Sequence, residues 1–263
     1  MTSSPTYDKK AGQTMSSGAA RNLFDTADVY EAIYRGRGKE YEAEAARVVE
    51  LVRAVRPDST SLLDVACGPA AHLVHFQHHF AHIEGVDLSE DMLRVAKERV
   101  PDVPLHHGDM RDFRIEGRFS VITCMFSSIS YARTPDELDA ALRSMARHLT
   151  PGGVIAIEPW WFPEDFRPDH IGGDVVTVDG RTISRVSHSV REGRATRMDV
   201  HYLIASPASG IQHFSDTHRM TLFERAEYEA AYTRAGLSVR YEADPAGGPG
   251  LFVGALPVGE TSV

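Results

Sequence analysis

The middle of the chain alternates short apolar runs with helix-like segments, and this alternation narrows the possible folds more than any other feature. Residues 61–66 (SLLDVA) make an apolar run closed by Cys67 and Gly68, residues 70–80 are helix-like, and residues 83–87 (IEGVD) predict a second strand. Ser89 caps the next helix, with Glu90 and Asp91 in its first turn, where the helix dipole favours anions; residues 96–99 finish it. Residues 105–107 predict a third strand, 119–126 a fourth and 154–160 a fifth. Thr134 and Pro135 open the helix between the last two, and Pro151, Gly152 and Gly153 stop it. Upstream, Tyr41, Ala45, Val48, Val52 and Val55 form an amphipathic stripe ending near Arg56 and Pro57. Such alternation means an α/β fold, a mostly parallel sheet with helices on both faces.

The alternation stops between residues 162 and 220, where 175–178, 182–189, 196–205 and 213–221 read as strands with glycine-containing turns, an inserted antiparallel sheet. Residues 224–234 return to helix, and 237–242 and 251–255 predict a closing strand pair. The expected organisation is a disordered tail over 1–20, a nucleotide-binding core with an N-terminal helical lid over 21–161, the insertion over 162–220 and a return to the core over 221–263. The tail is rich in Ser, Thr, Gly and Ala without a signal-peptide apolar region, and no run approaches the roughly 20 apolar residues of a membrane span. Cys67 and Cys124 lie far apart in apolar surroundings, which points to a reducing cytoplasm and no structural zinc. A net charge of −9 argues against nucleic acid as a partner. Between His170 and Met220, however, six arginines meet five acids, so that segment is +1 and the remainder −10. The histidines 72, 75, 78, 79 and 82 have no accompanying ligand framework and read as a solvated helix face with no metal.

In open α/β sheets ligands bind beyond the carboxyl ends of the strands. There the chain places Asp64 before a glycine turn, Asp87 where a carboxylate accepts ribose hydroxyls, and the Gly108-Asp109-Met110 sequence, whose acid suits an adenine amine and whose thioether suits a ring face. Asp64 or Asp87 alone reads equally well as a turn or helix-entry residue, but three acidic strand ends in one series are harder to dismiss. Pro69 and Ala70 replace the flexible residues of a dinucleotide fingerprint, and no lysine follows to hold phosphate. The pattern therefore favours S-adenosylmethionine over NAD or ATP.

The segments D64-V-A-C-G, G108-D-M-R-D-F, M125-F-S-S, E158-P-W-W-F-P-E, R185-V-S-H-S-V-R-E-G and A195-T-R-M resemble those of S-adenosylmethionine-dependent N,N-dimethyltransferases acting on dTDP-linked amino sugars, from about residue 27 to 253. The resemblance implies a class I Rossmann-like methyltransferase with a mostly parallel seven-stranded sheet. It implies that Asp64, Ala66 and Gly68 border the methionine part of the cofactor, that Asp87 with Leu88 holds the ribose, that Asp109 and Met110 bracket adenine, and that Met125 lies beside the sulfonium. Tyr30 and Tyr41 match tyrosines that close over the cofactor's carboxylate; packing of the N-terminal helix onto the core explains them equally well.

Methyl transfer to an amine is an in-line displacement, so alignment supplies most of the acceleration and the amine must be unprotonated. Tyr131 is the first candidate for contacting the amine, or alternatively a wall residue. Glu158 could accept a hydrogen bond from the ammonium or anchor the Pro159-Trp160-Trp161 turn. By resemblance, Ser187, His188, Arg191 and Arg197 belong to the nucleotide-sugar region, with Trp160 and Trp161 as wall or stacking residues. Three departures bear on the sugar: Asn22 and Tyr131 stand where relatives carry tyrosine and histidine, and Pro249 where arginine is usual. They lean the expectation towards an amine at C-4 instead of C-3. The competing readings are another small-molecule N- or O-methyltransferase and a cofactor-binding partner without catalysis. A homodimer is an expectation from the family alone.

Overall fold

The computed structural model describes Ile33, Tyr34, Gly36, residues 38–178 and residues 180–258. The expected tail, Asn22 and Tyr30 lie outside the described residues. The amphipathic stripe folds as α1 (Tyr41–Val55), burying Tyr41, Ala45, Val48, Val49 and Val52. The alternating segment follows as β1 (Ser61–Val65), α2 (Leu73–Phe76), β2 (His82–Asp87), α3 (Glu90–Arg99), β3 (Leu105–His107), β4 (Phe119–Cys124), a 3₁₀ turn (Ser128–Tyr131), α4 (Pro135–Ala146) and β5 (Leu149–Ile157). Ser89 Oγ accepts from Met92 N–H at 3.3 Å and Thr134 Oγ1 from Glu137 N–H at 3.2 Å, so both helices begin on caps placed by sequence.

The insertion is a four-stranded antiparallel meander, β6 (His170–Val178), β7 (Arg181–Glu192), β8 (Ala195–Ser206) and β9 (Gly210–Thr221). The chain then returns through α5 (Arg225–Arg234), β10 (Arg240–Glu242) and β11 (Leu251–Ala255). The main sheet has seven strands in the order β10-β11-β5-β4-β1-β2-β3. β1 lies between β2 and β4 and is parallel to both, which puts the reversal of strand order, and hence the ligand crevice, at its carboxyl end. β11 runs antiparallel between β5 and β10. No helix among the described residues is long and apolar enough to cross a membrane.

The segment expected as a long helix over 70–80 is helical only over α2, because Gly68 and Ala70 both take left-handed backbone, φ +54° and +65°, which delays helix entry. Pro151, Gly152 and Gly153 do not merely stop α4. They sit inside β5 as an irregularity, with Phe119 opposite Leu149 but Val121 opposite Val154, and Gly152 at φ +70°.

Apolar clusters cover the main sheet, one including Leu63, Ile122, Ile155, Tyr232 and Phe252, the other Leu62, Phe76, Val121, Val154 and Val253. A third joins Ile33 to Ile183, Val200, Tyr202 and Ile204 of the meander. Each such side chain taken from water contributes about 1.5–3 kcal/mol. Thr221 Oγ1 donates to Ala132 O at 2.6 Å, tying the end of β9 to the core beside the 3₁₀ turn.

Candidate active site

A cavity of about 1470 Å³ opens at the carboxyl ends of β1, β2 and β4 and is roofed by the inner face of the meander. Asp64, Ala66, Gly68, Asp87, Leu88, Asp109, Met110, Met125 and Tyr41 line its sheet side; Tyr131, Glu158, Trp160, Trp161 and Ser187 line the remainder. His188, Arg191 and Arg197 are not among its walls.

Asp64 is fully buried and accepts from Thr123 Oγ1 at 2.7 Å; burial pushes its carboxyl up to about 7. Asp87 accepts from the Gly68 and Ser89 amides, both at 2.8 Å, which locks the glycine turn against the start of α3, and burial again raises its carboxyl. Asp109 differs: the Arg111 backbone amide and Nε both donate to its Oδ1 at 2.9 Å, and this partner holds the carboxyl below its ordinary value. The expected adenine acceptor is therefore already engaged, with its remaining lone pairs left for a ligand amine. Glu158 Oε2 accepts from Phe126 N–H at 2.8 Å, and burial pushes it up to about 7. That bond gives Glu158 a role in anchoring the loop after β4, where Phe126 and Ser127 both adopt left-handed backbone, φ +55° and +59°. Ser127 Oγ donates to Pro159 O at 2.7 Å and closes the same loop. Left-handed backbone at non-glycine residues is costly and gathers at functional sites.

The residues fit S-adenosylmethionine. Gly68 has open space where a side chain would project, so a ligand can approach its backbone, and the carboxylates of Asp64, Asp87, Asp91 and Asp109, with no lysine, line the sheet side, among the described residues. This set of acceptors suits hydroxyls, an amine and a cationic sulfur, not a diphosphate.

The arginines lie opposite. Strand alternation turns Arg185, Ser187 and Ser189 of β7 inward, and cross-strand register sets them beside Tyr202, Val200 and Met198 of β8, and those beside Phe214, Asp216 and His218 of β9. Arg185 is only 2% exposed, and its Nη1 donates to Ser187 Oγ at 2.9 Å. The same pleat turns His188 outward. Arg191 lies at the β7–β8 turn, donating from Nε to Gly193 O at 3.2 Å, and Arg197 is held by Glu192 and Asp199. The arginines on the cavity wall are instead Arg185, Arg167, Arg133, Arg111 and Arg219, the last of them on the outward pleat and paired with Glu192. The pairing signal was present in R185-V-S-H-S, whose odd positions share one face. Tyr131 Oη lies 2.8 Å from His218 Nδ1, and Pro249 lines the wall as well. His72, expected on a solvated face, is buried and bonded through Nε2 to Glu44 at 2.9 Å.

Residues 62–153 match the model of a methyltransferase domain. The chain is 56% identical over 88% of its length to a dTDP-3-amino-3,4,6-trideoxy-alpha-D-glucopyranose N,N-dimethyltransferase of Streptomyces venezuelae, covering 97% of that protein. It is 51% identical, again over 88%, to a dTDP-3-amino-3,6-dideoxy-alpha-D-glucopyranose N,N-dimethyltransferase of Streptomyces fradiae, covering 90% of it. A dTDP-4-amino-2,3,4,6-tetradeoxy-D-glucose N,N-dimethyltransferase of Saccharopolyspora spinosa is 48% identical over the same share, with 92% of it covered. The crystal structure of DesVI from Streptomyces venezuelae superimposes with a TM-score of 0.85 at 56% identity, over 88% of this chain and 98% of that one. S-adenosylmethionine-bound CalS10, an amino pentose methyltransferase from Micromonospora echinaspora, gives 0.80 at 48% identity, over 86% and 96%.

Proposed function

Because the chain belongs to the family of S-adenosylmethionine-dependent dTDP-aminosugar N,N-dimethyltransferases, we propose that it adds two methyl groups in succession to the amine of a dTDP-linked deoxyaminosugar, making the N,N-dimethyl sugar for antibiotic glycosylation. One observation carries this reading: an acid-lined sheet edge and an arginine-bearing meander face each other across one cavity.

Asp87 and Leu88 would hold the ribose, Asp109 and Met110 the adenine, and Asp64, Ala66, Gly68 and Tyr41 the methionine end, with Met125 against the sulfur. When bound, S-adenosylmethionine supplies an electrophilic methyl group on a sulfonium. The chain's own residues supply position, for which well-oriented reactants gain roughly 7–11 kcal/mol. Arg185 and Ser187 present donors to a diphosphate, and Trp160 and Trp161, with ring centroids 6.4 Å apart, wall the sugar pocket. Tyr131 meets the amine. Glu158 shapes the loop behind it.

For the position of the amine our reading is C-4, supported by Tyr131 and Pro249 on the cavity wall. A C-3 reading is favoured by the higher identity to the 3-amino relatives, 56% against 48%. Incubation with C-3 and C-4 amino dTDP-sugars, with the products' methylation sites mapped, separates them; exclusive C-3 methylation overturns ours. Calorimetric titration with S-adenosylhomocysteine and then dTDP tests the wider reading, which requires both to bind. A homodimer is part of the same reading. It is supported by the outer meander face, which exposes Ile171, Val175, Val186, Leu203 and Ile211. Sedimentation at monomer mass would remove it.

A further inference from the structure

Tyr131 and His218 stand on the cavity wall, with Asp216 in file behind them. Tyr131 Oη is 2.8 Å from His218 Nδ1, and His218 Nε2 is 3.8 Å from Asp216 Oδ2. His218 is buried. Asp216 Oδ2 is buried too and has no hydrogen-bond partner among the described residues, while its Oδ1 accepts from Thr217 N–H at 2.8 Å. Two elements build the file. The 3₁₀ turn supplies the phenol and β9 the other two groups, spaced two apart so that both face inward, and the Thr221–Ala132 bond fixes β9 against the turn.

We propose that this file is a proton relay for the aminosugar ammonium, with Tyr131 as the catalytic residue that touches the amine and His218 and Asp216 as positioning and proton-holding residues behind it. The proposal rests on the aminosugar reading above. With its proton on Nε2, His218 accepts the Tyr131 O–H at Nδ1, so the phenol oxygen turns its lone pairs to the cavity and accepts from the ammonium. The step balances as two coupled transfers. An ammonium N–H bond breaks as an O–H bond forms on Tyr131, while the original Tyr131 O–H breaks and an N–H bond forms at His218 Nδ1. The freed nitrogen lone pair attacks the methyl group. The imidazolium faces Asp216, then returns its proton to water before the second transfer.

The environment keeps the relay poised. Burial lowers the His218 imidazole from its ordinary value; Asp216 on its own strand opposes that shift, and Arg185 from β7 reinforces it. The Tyr131 phenol is raised by desolvation, with Tyr34, Asp216 and Tyr202 around it adding to the effect, so phenolate is not the working form. A neutral phenol backed by a neutral imidazole moves a proton without holding a charge in advance.

The test uses Tyr131→Phe and His218→Asn in the full chain; asparagine keeps an acceptor for the phenol but takes up no proton. S-adenosylhomocysteine and dTDP affinities within twofold of wild type confirm intact sites. Near pH 7 we expect kcat to fall roughly 10- to 100-fold in both variants, the modest end of general-base effects because free amine still reacts. In both, the acid limb of the kcat–pH profile should move up to the free amine's own pKa. A limb left where wild type has it, with or without a fall in kcat, overturns the relay. S-adenosylhomocysteine binding without methylation of either aminosugar by the wild-type enzyme instead defeats the substrate reading, and the relay with it.

Discussion

Asp64 sets the stability of the fold against the needs of the site. Its carboxyl is pushed up to about 7 by burial, against about 3.9 in an unfolded chain. The native state therefore binds more protons than the unfolded one between these values, and stability falls as pH rises through that window, then levels off. Asp64→Asn keeps an acceptor for Thr123 and has no such loss. We expect it to be more stable than wild type at pH 8, by up to about 4 kcal/mol at 1.36 kcal/mol per pKa unit, with the difference vanishing near pH 4. Denaturant unfolding at the two pH values measures this, and S-adenosylhomocysteine titration should show weaker binding by the same variant. The position of such residues was legible because strand ends and glycine turns are local signals. The engagement of Asp109 was not, since an arginine two residues away folds back only when the loop conformation is fixed.

The meander shows what a single strand decides. The pleat of β7 sorts R185-V-S-H-S into an inner set and an outer set, and of the two residues that the resemblance named here, Ser187 falls in the inner set and His188 in the outer. We expect Arg185→Met to weaken dTDP binding about 10- to 100-fold, the range for losing hydrogen bonds to a charged group, and His188→Ala to leave it within twofold. Calorimetry on the two variants decides this. The strands themselves were legible from alternation, but which face turned inward depended on how the sheet docks on the core, a tertiary fact. β5 teaches a similar lesson. Pro151, Gly152 and Gly153 carry a stop signal, yet Phe119 pairs with Leu149 upstream of them, and the neighbouring strand absorbs the break. On α4 the local signals sufficed. Removing the cap in Thr134→Ala should cost about 1 kcal/mol, readable as a lower unfolding midpoint with unchanged denaturant slope.

Across the whole molecule the charges are segregated. The chain is −9 overall, yet the cavity sets Asp64 and Asp87 at the sheet against Arg185 on the inner face of the meander. Raising salt screens an anionic ligand's attraction to the arginines more than it affects a ligand held by hydrogen bonds at the sheet. Between 0.05 and 0.5 M salt, ranges on either side of a roughly 10 Å Debye length, dTDP affinity should drop several-fold while that of S-adenosylhomocysteine stays within twofold. The order of the main sheet has a kinetic side as well. β5 receives its second neighbour, β11, only from the far side of the meander, some ninety residues later along the chain. During synthesis or refolding, the apolar edge Val154-Ile155-Ala156-Ile157 must wait bare until Leu251–Ala255 arrives and Phe252 docks on Tyr228 and Tyr232. An unpaired edge of that kind recruits other chains, so a nascent chain halted before Leu251 is the species a chaperone would have to guard.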